Sequence, residues 1–458
     1  MDSDIVDLVI VGAGPAGMAA ACEARTWGLD VTLLDEQTAV GGQIYRAVDT
    51  ATEHRRSVLG EDYAAGAKLT DAFAKSGARH IDGATVWNVG RDLQVNYIQR
   101  GANIVVHGRH IILASGAMER PFPIPGWTLP GVMGVGAAQI LYKSSGMLPS
   151  EPVVLAGCGP LLYLVASQYL QAGVKLRALI HTTQGSDYLR ASSHLVGALR
   201  GWRDLRKGMR LFSHIRHHRV PIYAGAETLS IQGGDHAEAI CFNHKGRSQR
   251  IESSLILLHQ GVVPNTQLSW LLKAKHRWND ALLCWEPETD DYGQIEDTGI
   301  YIAGDSRSIV GAKASASQGR LAAIAIAAKL DHLTVEGRHG REKSLRSVLR
   351  SQVHIRSFLE ALYRPPVAHR IPQQDSVIVC RCEEVSAADI RKYVELGCQG
   401  PNQTKAFGRC GMGHCQGRLC GLTVTEIIAQ ARGLPPEEIG YYRIRPPIKP
   451  VTLAELAG

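Results

Sequence analysis

Six of the ten cysteines, Cys380, Cys382, Cys398, Cys410, Cys415 and Cys420, fall between residues 380 and 420. The other four, Cys22, Cys158, Cys241 and Cys284, are scattered, and no Cys-x-x-Cys pair occurs before the cluster. Clustering of this kind, in a chain with no sign of secretion, points to metal binding rather than disulfides. One close pair is Cys380-Arg-Cys382. Another ends the run Gly408-Arg-Cys410-Gly-Met-Gly-His-Cys415-Gln-Gly-Arg-Leu-Cys420. Paired thiolates on two short turns suit a cluster of two irons, each needing two ligands. Zinc also accepts four thiolates, but usually through Cys-x-x-Cys knuckles. Cys420 stands at the start of an expected helix, where the helix dipole helps hold a thiolate. Cys410 is close enough to compete with Cys415, and Cys398 is expected to pack behind a helix.

A different chemistry is written at the other end of the chain. Asp7–Val11 is a nearly all-apolar run, the pattern of a buried parallel strand. Gly12-Ala-Gly14-Pro15-Ala16-Gly17 follows and opens an Ala-rich helix. Gly12 permits a tight turn, Gly14 lets backbone approach a pyrophosphate, and Gly17 lets helix and strand pack closely. A second apolar strand, Val31–Leu34, ends in Asp35-Glu36, where a carboxylate can accept hydrogen bonds from ribose hydroxyls. Gly41-Gly42-Gln43 comes next. Ile111–Gly116 is a strand ending in a small-residue turn that contains Ala114 and Gly116. Far downstream, Thr298–Gly304-Asp305 closes another strand on Gly-Asp, and an Ala-rich helix follows from Gly311.

These motifs need scaffolding, and the sequence indicates how it is arranged. Pro152–Ala156 leads into Gly157-Cys158-Gly159-Pro-Leu-Leu162, then a helix to about Gln171 and a strand Lys175–Ile180. This second nucleotide-type unit interrupts the first, and Gly261–Thr266 reads as the segment that ends it. It lacks two features of a nicotinamide site. Leu162 stands where the third glycine belongs, and the strand runs into His181-Thr-Thr with neither a ribose-binding acid nor an arginine cluster. Cys158 is expected to be a small packed residue. Asp331–Arg341 is polar, and a helix is read over Ser344–Tyr363 with apolar positions at Leu345, Val348, Leu349, Val353, Ile355 and Leu359, stopped by Pro365-Pro366; the whole stretch reads as the linker into a last domain. In the last domain, Ser386–Asp389 forms a capping box for a helix to about Leu396, and a further helix spans about Thr423–Ala431. The fold class expected is α/β: two Rossmann-like domains, the second inserted in the first, plus a small helical Cys-rich domain. The limits expected are 1–125 and 291–335 for the first domain, 126–290 for the insert, 336–375 for a helical linker and 376–458 for the cysteine domain.

The composition excludes several classes. Over 458 residues the formal net charge is only +7, too diffuse for a nucleic-acid reader, so no nucleic-acid partner is expected. The densest basic run, Arg200–Arg219, holds Arg203, Arg206, Lys207, Arg210, Arg216, His217, His218 and Arg219 and is read as a solvated helix face. No apolar stretch is long enough to span a bilayer and the acidic N-terminus carries no signal-peptide pattern. A cytoplasmic location is expected, with peripheral attachment at an inner membrane left open.

The ordered set Gly12, Gly14, Gly17, Asp35, Gly42, Gly304 and Asp305 resembles the two-dinucleotide-domain flavoproteins. That likeness implies FAD on the first domain, held by Gly12, Gly14, Pro15, Ala16, Gly17, Asp35, Glu36, Gly42, Gln43, Ala114, Gly116, Gly304 and Asp305. The cysteine spacing resembles the small domain of bacterioferritin-associated ferredoxin, which implies a 2Fe–2S cluster on Cys380, Cys382, Cys415 and Cys420, with Cys398 and Cys410 dispensable. Together, the Cys380-Arg-Cys382-Glu383 opening, the run Gly411–Arg418 and the flavoprotein part resemble the alpha subunits of opine oxidase, hydrogen cyanide synthase and the hydroxyproline and dye-linked proline dehydrogenases. The resemblance implies an electron-transfer subunit of an amine or opine dehydrogenase. It would work with an amine-oxidase-like flavoprotein beta subunit, a small third subunit, an FMN shared with a partner, and a quinone or other acceptor. No catalytic residue is identified. An NAD(P)H-dependent ferredoxin-type reductase and a nucleotide-binding scaffold holding ATP are the competing readings.

Overall fold

The computed structural model of the chain describes residues 5–457; residues 1–4, part of the acidic start, and residue 458 lie outside it, as do the side chains of residues 335, 336 and 353. The apolar run at the start forms the strand Val6–Val11, in which Leu8, Val9 and Ile10 are fully buried. Burying a side chain of this size contributes ~1.5–3 kcal/mol, so three in a row fix the strand at the centre of a sheet. Its parallel neighbours are Val31–Leu34 on one side and the long strand Ala102–Leu113 on the other.

Ala102–Leu113 performs two tasks. Its first half pairs antiparallel with Gln94–Gln99, and its second half pairs parallel with both Val6–Val11 and Ile300–Ile302. Chain nearly two hundred residues downstream therefore returns to complete the seven-stranded first sheet. The intervening chain builds a second sheet of five strands. These are Ile222–Ala224, Leu176–His181, Val153–Cys158, Ile256–Gln260 and Val132–Gly134, all parallel. The two crossings between the sheets, Ala117–Glu119 and Val262–Pro264, pair antiparallel with each other. The α/β class with two Rossmann-type sheets is as the sequence predicts.

Two helices lock the first sheet to its returning half, Pro15–Thr26 and Ala312–Lys329. They approach so closely that a Cβ on Gly319 would lie 2.1 Å from the carbonyl oxygen of Ala16. Backbone-to-backbone contact of this kind admits only glycine.

The helix expected to begin at Ser344 starts earlier, within the polar stretch, as Val335–Val353. Thr334 caps it by accepting the Gly337 amide, and Glu342 bonds Arg338 and Arg346 one turn away on either side. Such i,i+4 pairs support a helix that lacks an apolar stripe. The helix ends before Ile355, which is buried against Gly201, and a second helix, Arg356–Leu362, follows. The single helix expected over 344–363 is thus two, and Val348, assigned to its apolar face, is exposed.

In the cysteine-rich region the Ser386–Asp389 capping box forms and leads the helix Ala387–Glu395. The helix Gly421–Arg432 starts just after Cys420. Between them lies a helix that the sequence pattern does not announce, Pro401–Gly408. This region shares one core with the first sheet, in which Val379, Val424 and Ile427 pack with Val86, Val89 and Val95. It is tied to the second sheet's side by Trp127, whose indole N–H donates to the Ile378 carbonyl at 2.7 Å, and by a buried ion pair of Arg370 with Glu426.

Gly319→Ala is expected to lower the thermal unfolding temperature, since a methyl group must push two backbones apart at a cost of roughly 1–3 kcal/mol. Gly340→Ala, in the exposed helix 335–353 with nothing near its Cβ direction, should instead raise stability by up to about 1 kcal/mol. Equal shifts for the two variants would mean that the helix contact is not as close as described.

Candidate flavin cradle and thiol cluster

The glycine-rich turn after Val11 is shaped by contacts only glycine tolerates. Gly12 has φ +106°, and a Cβ there would lie 2.4 Å from the Ala114 carbonyl oxygen; one on Gly17 would lie 1.9 Å from that of Gly12. Gly42, at φ +58°, would press a Cβ to 2.7 Å from the Gly14 Cα. Gly14 and Gly42 thus meet backbone to backbone. Gly14 caps the helix at whose first turn Pro15 stands, and Gly311 caps the helix Ala312–Lys329. Neither helix has a side-chain cap or an acidic residue in its first turn. Two helix N-termini with unclaimed amides are therefore anchored to the same close helix pair, the arrangement that receives a diphosphate.

The acidic residues order this cradle. Asp35 accepts the Ala13 amide at 2.5 Å on one carboxylate oxygen and the Gln37 amide at 2.8 Å on the other. Each oxygen has a second lone pair, so ribose hydroxyls remain acceptable partners. Glu36 is exposed and pairs with Lys449 at 2.6 Å. Asp305 accepts the amides of Val310 (2.8 Å) and Gly311 (3.0 Å), which aims the turn into the Ala312 helix. Gly304, at φ +77°, donates its amide to Gln318 Oε1. The Ala114–Gly116 turn is tied to the returning chain, with the Asn265 amide donating to the Gly116 carbonyl and the Ser115 hydroxyl to the Asn265 carbonyl. The expected residues are thus assembled from both halves of the first sheet, and the donor set fits a dinucleotide such as FAD.

Two cations that no sequence motif marks hold the Gly42-Gln43 loop. Arg46 donates to the Gly42 carbonyl at 3.1 Å and Lys143 to the Gln43 carbonyl at 3.0 Å. Lys143 is buried, and burial, with Arg46 nearby, lowers its pKa from 10.5 to about 7. It lies on the helix Val135–Ser145, a hundred residues from the loop, and nothing in its local sequence signals the contact.

The cysteines form two groups. The sulfurs of Cys380, Cys410 and Cys420 lie within 4.8 Å of one another and are buried. Cys382 and Cys415 adjoin each other in a second, more accessible group beside His414, whose Nε2 is 3.7 Å from the Cys382 sulfur. The four expected ligands therefore separate into an inner pair, Cys380 and Cys420, and an outer pair, Cys382 and Cys415. Cys410, expected to be dispensable, is a third sulfur of the inner group. The unforeseen helix Pro401–Gly408 delivers it there; Pro401 at the first helical position was the available signal. Hydrogen bonds from the Cys410 and Cys420 thiols hold the Cys380 sulfur as a thiolate, down to about 2, and the hydrogen bond to Cys380, with burial, pushes the Cys410 thiol up to about 12. Tyr442, buried beside them, donates to the Cys410 sulfur at 3.3 Å. Gly411 and Gly417 make room for it, since a Cβ on either would lie 2.5 Å from its ring. Cys398 is apart, with its thiol on the Gly400 carbonyl. Three inner and two outer sulfurs, with His414 beside the outer ones, make a sulfur-rich donor set that could hold a metal ion or cluster.

The second glycine loop is covered by the chain itself. The Cys158 thiol donates to the Tyr363 carbonyl at 3.5 Å, and the rings of Tyr163 and Tyr363 are 6.2 Å apart. Burial pushes the Cys158 thiol up to about 12, and Leu162 is fully buried. His259 lies beneath the loop, paired with Glu119 at 2.8 Å.

The family model described as pyridine nucleotide-disulphide oxidoreductase matches residues 6–328, and one described as sarcosine oxidase A3 domain matches residues 374–458. The opine oxidase A subunit of Rhizobium meliloti is 44% identical over 462 residues, spanning 99% of this chain and 88% of that protein. The HcnB subunit of hydrogen cyanide synthase from Pseudomonas protegens is 30% identical, over 97% of this chain and 96% of its own length. The solved structure of L-proline dehydrogenase from P. horikoshii has the same fold, with a TM-score of 0.73 over 99% of this chain and 80% of that one at 20% identity.

Lys143 predicts a pH dependence. Its folded pKa is depressed, so between pH 7 and pH 10.5 the unfolded state binds more protons and the stability it contributes rises with pH. Lys143→Met should therefore gain over the parent at pH 7 and lose that advantage towards pH 10.5, as read by thermal unfolding. A difference that does not change with pH would mean that Lys143 is charged in the folded protein.

Proposed function

The chain belongs to the family of opine oxidase A subunits, within the pyridine nucleotide-disulphide oxidoreductases, and from that premise we propose that it carries FAD and a 2Fe–2S cluster as the electron-transfer subunit of a heteromeric dehydrogenase. The donors are secondary amino acids of the opine or imino-acid class. An amine-oxidising flavoprotein partner takes the hydride from the carbon bearing the amine, and electrons pass through this chain to a quinone or other acceptor.

The observation that carries the proposal is the presence, on one chain, of a dinucleotide cradle and a cluster of five cysteine sulfurs. When bound, FAD accepts electrons in pairs and a 2Fe–2S cluster passes them singly. The chain's own residues supply the positioning. Gly12, Gly14 and Gly42 would let backbone approach the diphosphate, while Asp305 orients the Val310 and Gly311 amides. Asp35 holds the glycine turn against the strand end. Cys380, Cys420, Cys382 and Cys415 would hold the cluster. Oxidation of the amine is assigned to the partner, so this chain is given no catalytic residue for that step. The relatives named as subunits of opine oxidase and hydrogen cyanide synthase support a heteromeric assembly. The likeness to HcnB keeps cyanide synthesis as a second reading. Against an NAD(P)H-dependent reductase stands the second glycine loop, where Leu162 takes the third glycine position and the segment around Tyr363 covers Cys158.

The purified full chain should release FAD on denaturation and contain two irons with a 2Fe–2S visible spectrum when prepared without oxygen. Alanine at Cys380, Cys382, Cys415 or Cys420 should abolish the cluster, and alanine at Cys398 should not. Cys410→Ala should retain the irons; their loss there, with retention in Cys415→Ala, would reassign the fourth ligand. One zinc and no iron would remove the relay. Released ATP without flavin would remove the FAD assignment.

The lone chain should not reduce a dye with an opine or proline as donor, and NADH or NADPH should bleach its flavin slowly or not at all. Rapid stoichiometric bleaching by either would move the assignment to a reductase. Amine oxidation by the lone chain at the rate of the complex would place the substrate site on this chain.

A further inference from the structure

The chain's large exposed hydrophobic side chains are unevenly spread. Leu189, Leu195, Val196, Leu199, Trp202 and Met209 are each half or more exposed, with Leu189 at 76% and Val196 at 68%, and all lie within 21 consecutive residues. They belong to three successive helices, Gly185–Ser192, Leu195–Arg200 and Trp202–His217. Exposed apolar side chains scattered singly need no explanation, but a contiguous group marks a contact surface.

The inner side of this element is fixed. A Cβ on Gly197 would lie 2.5 Å from the His354 carbonyl oxygen and one on Gly201 2.8 Å from Ile355, while Ala198 and Ile215 are fully buried. The short middle helix therefore has its small-residue side against the turn at 354–355. Leu195, Val196 and Leu199, one and four positions apart, stand on its other side.

The charge pattern identifies the partner's chemistry. From Arg190 to Arg219 there are eight Lys/Arg and one Asp, as much net positive charge as the whole chain carries. Arg190 and Lys207 have carboxylate partners in Asp187 and Asp62. Arg203 and Arg206 lie over the Trp202 ring, 5.9 and 5.0 Å from its centre. The outward side of the element thus mixes Leu, Val and an indole with guanidinium groups. That is the composition of a segment lying in the headgroup region of an anionic bilayer, with apolar side chains inserted and basic side chains on the phosphates. Among the described residues no helix is long and apolar enough to cross a membrane, so attachment would be to the surface.

We propose that residues 185–217 form a membrane-docking face that seats the protein on an anionic lipid surface. Charge alone reads as a solvated helix face; the apolar side chains beside it are what change the reading. The proposal does not rest on the cofactors, because partition onto vesicles needs neither flavin nor iron.

The full chain, alone and purified together with any subunit that copurifies, is sedimented with vesicles of phosphatidylcholine or of phosphatidylcholine mixed with phosphatidylglycerol. Sedimentation with the anionic vesicles, at least tenfold stronger than with neutral ones and weakened by salt, is expected for both preparations. Leu199→Glu and the double variant Arg203→Glu/Arg206→Glu should each reduce partition at least tenfold. Met147→Glu, at an exposed apolar residue elsewhere, should not. Unchanged unfolding temperatures show that the variants are folded, and Trp202→Ala is the milder substitute should one fail. Absence of binding to anionic vesicles, or equal binding by parent and variants, overturns the proposal. Binding by the lone chain that disappears when a copurifying subunit is present also overturns it, and gives the face to that subunit.

Discussion

The flavoprotein half depends on a contact between two backbones. Gly319 lets the helix Ala312–Lys329 lie against the carbonyl of Ala16 on the helix Pro15–Thr26. Residues three hundred positions apart are thereby held in register, and each helix contributes an N-terminus with free amides. The two N-terminal turns cannot be placed independently, because both are rigid extensions of the same packed pair. Gly304, wedged against Ala16 and Ser315, and Asp305, which gathers the Val310 and Gly311 amides, extend the constraint into the turn before the second helix. An anion site built this way is pre-organised, since its donors are held by core packing rather than by loops that must order on binding.

The same logic, with an aromatic ring in place of a second helix, governs the thiol cluster. Tyr442 fills the space that Gly411 and Gly417 leave and touches the inner sulfurs with its hydroxyl. The glycines around Cys410 and Cys415 therefore let a buried ring approach the loop from behind and fix the sulfurs that face forward. Burial then separates the sulfurs, with Cys380 and Cys420 at 1% exposure and Cys382 partly accessible. Any group held by these residues has one side in a low-dielectric interior and the other near solvent. Electrostatic preference between its two sides follows from that asymmetry.

What the sequence reveals, and what it hides, divides along physical lines. Local backbone requirements are legible: the Gly12–Gly17 turn, the Ser386 capping box and the return of Ile300–Ile302 all follow from residue types whose conformational demands are strong. Features that depend on distant partners are not. Lys143 meets Gln43 across a hundred residues, and no pattern around it signals burial. Cys410 joins the inner sulfurs only because the short helix Pro401–Gly408 turns it inward, and a helix of that length has too few apolar positions for a period to show. The helix is read only from Ser344 because the segment before it, 331–341, is polar. The earlier part of the helix is held by Arg338, Glu342 and Arg346 pairing with one another, a pattern of spacing rather than of hydrophobicity.

The second Rossmann-type sheet carries a glycine loop that packs against other parts of the chain. The strand before its glycine loop is fully buried, and the loop retains the positive φ angles of Gly157 and Gly159. The loop, however, is met by protein: His259 lies close under Gly159, and Tyr363 lies over Cys158 with its ring beside Tyr163. The tyrosines at 163 and 363 and the thiol of Cys158 are all displaced by burial towards their neutral forms. A pocket meant for a diphosphate needs donors and field in the opposite sense, positive and unfilled. Here the covering segment comes from the end of the helix Arg356–Leu362, shortly before the chain enters the cysteine region. The second glycine loop thus meets the connection to the thiol cluster. Packing there links the inserted sheet to the segment that leads into the sulfur group, which gives the glycine loop a structural role in joining the two.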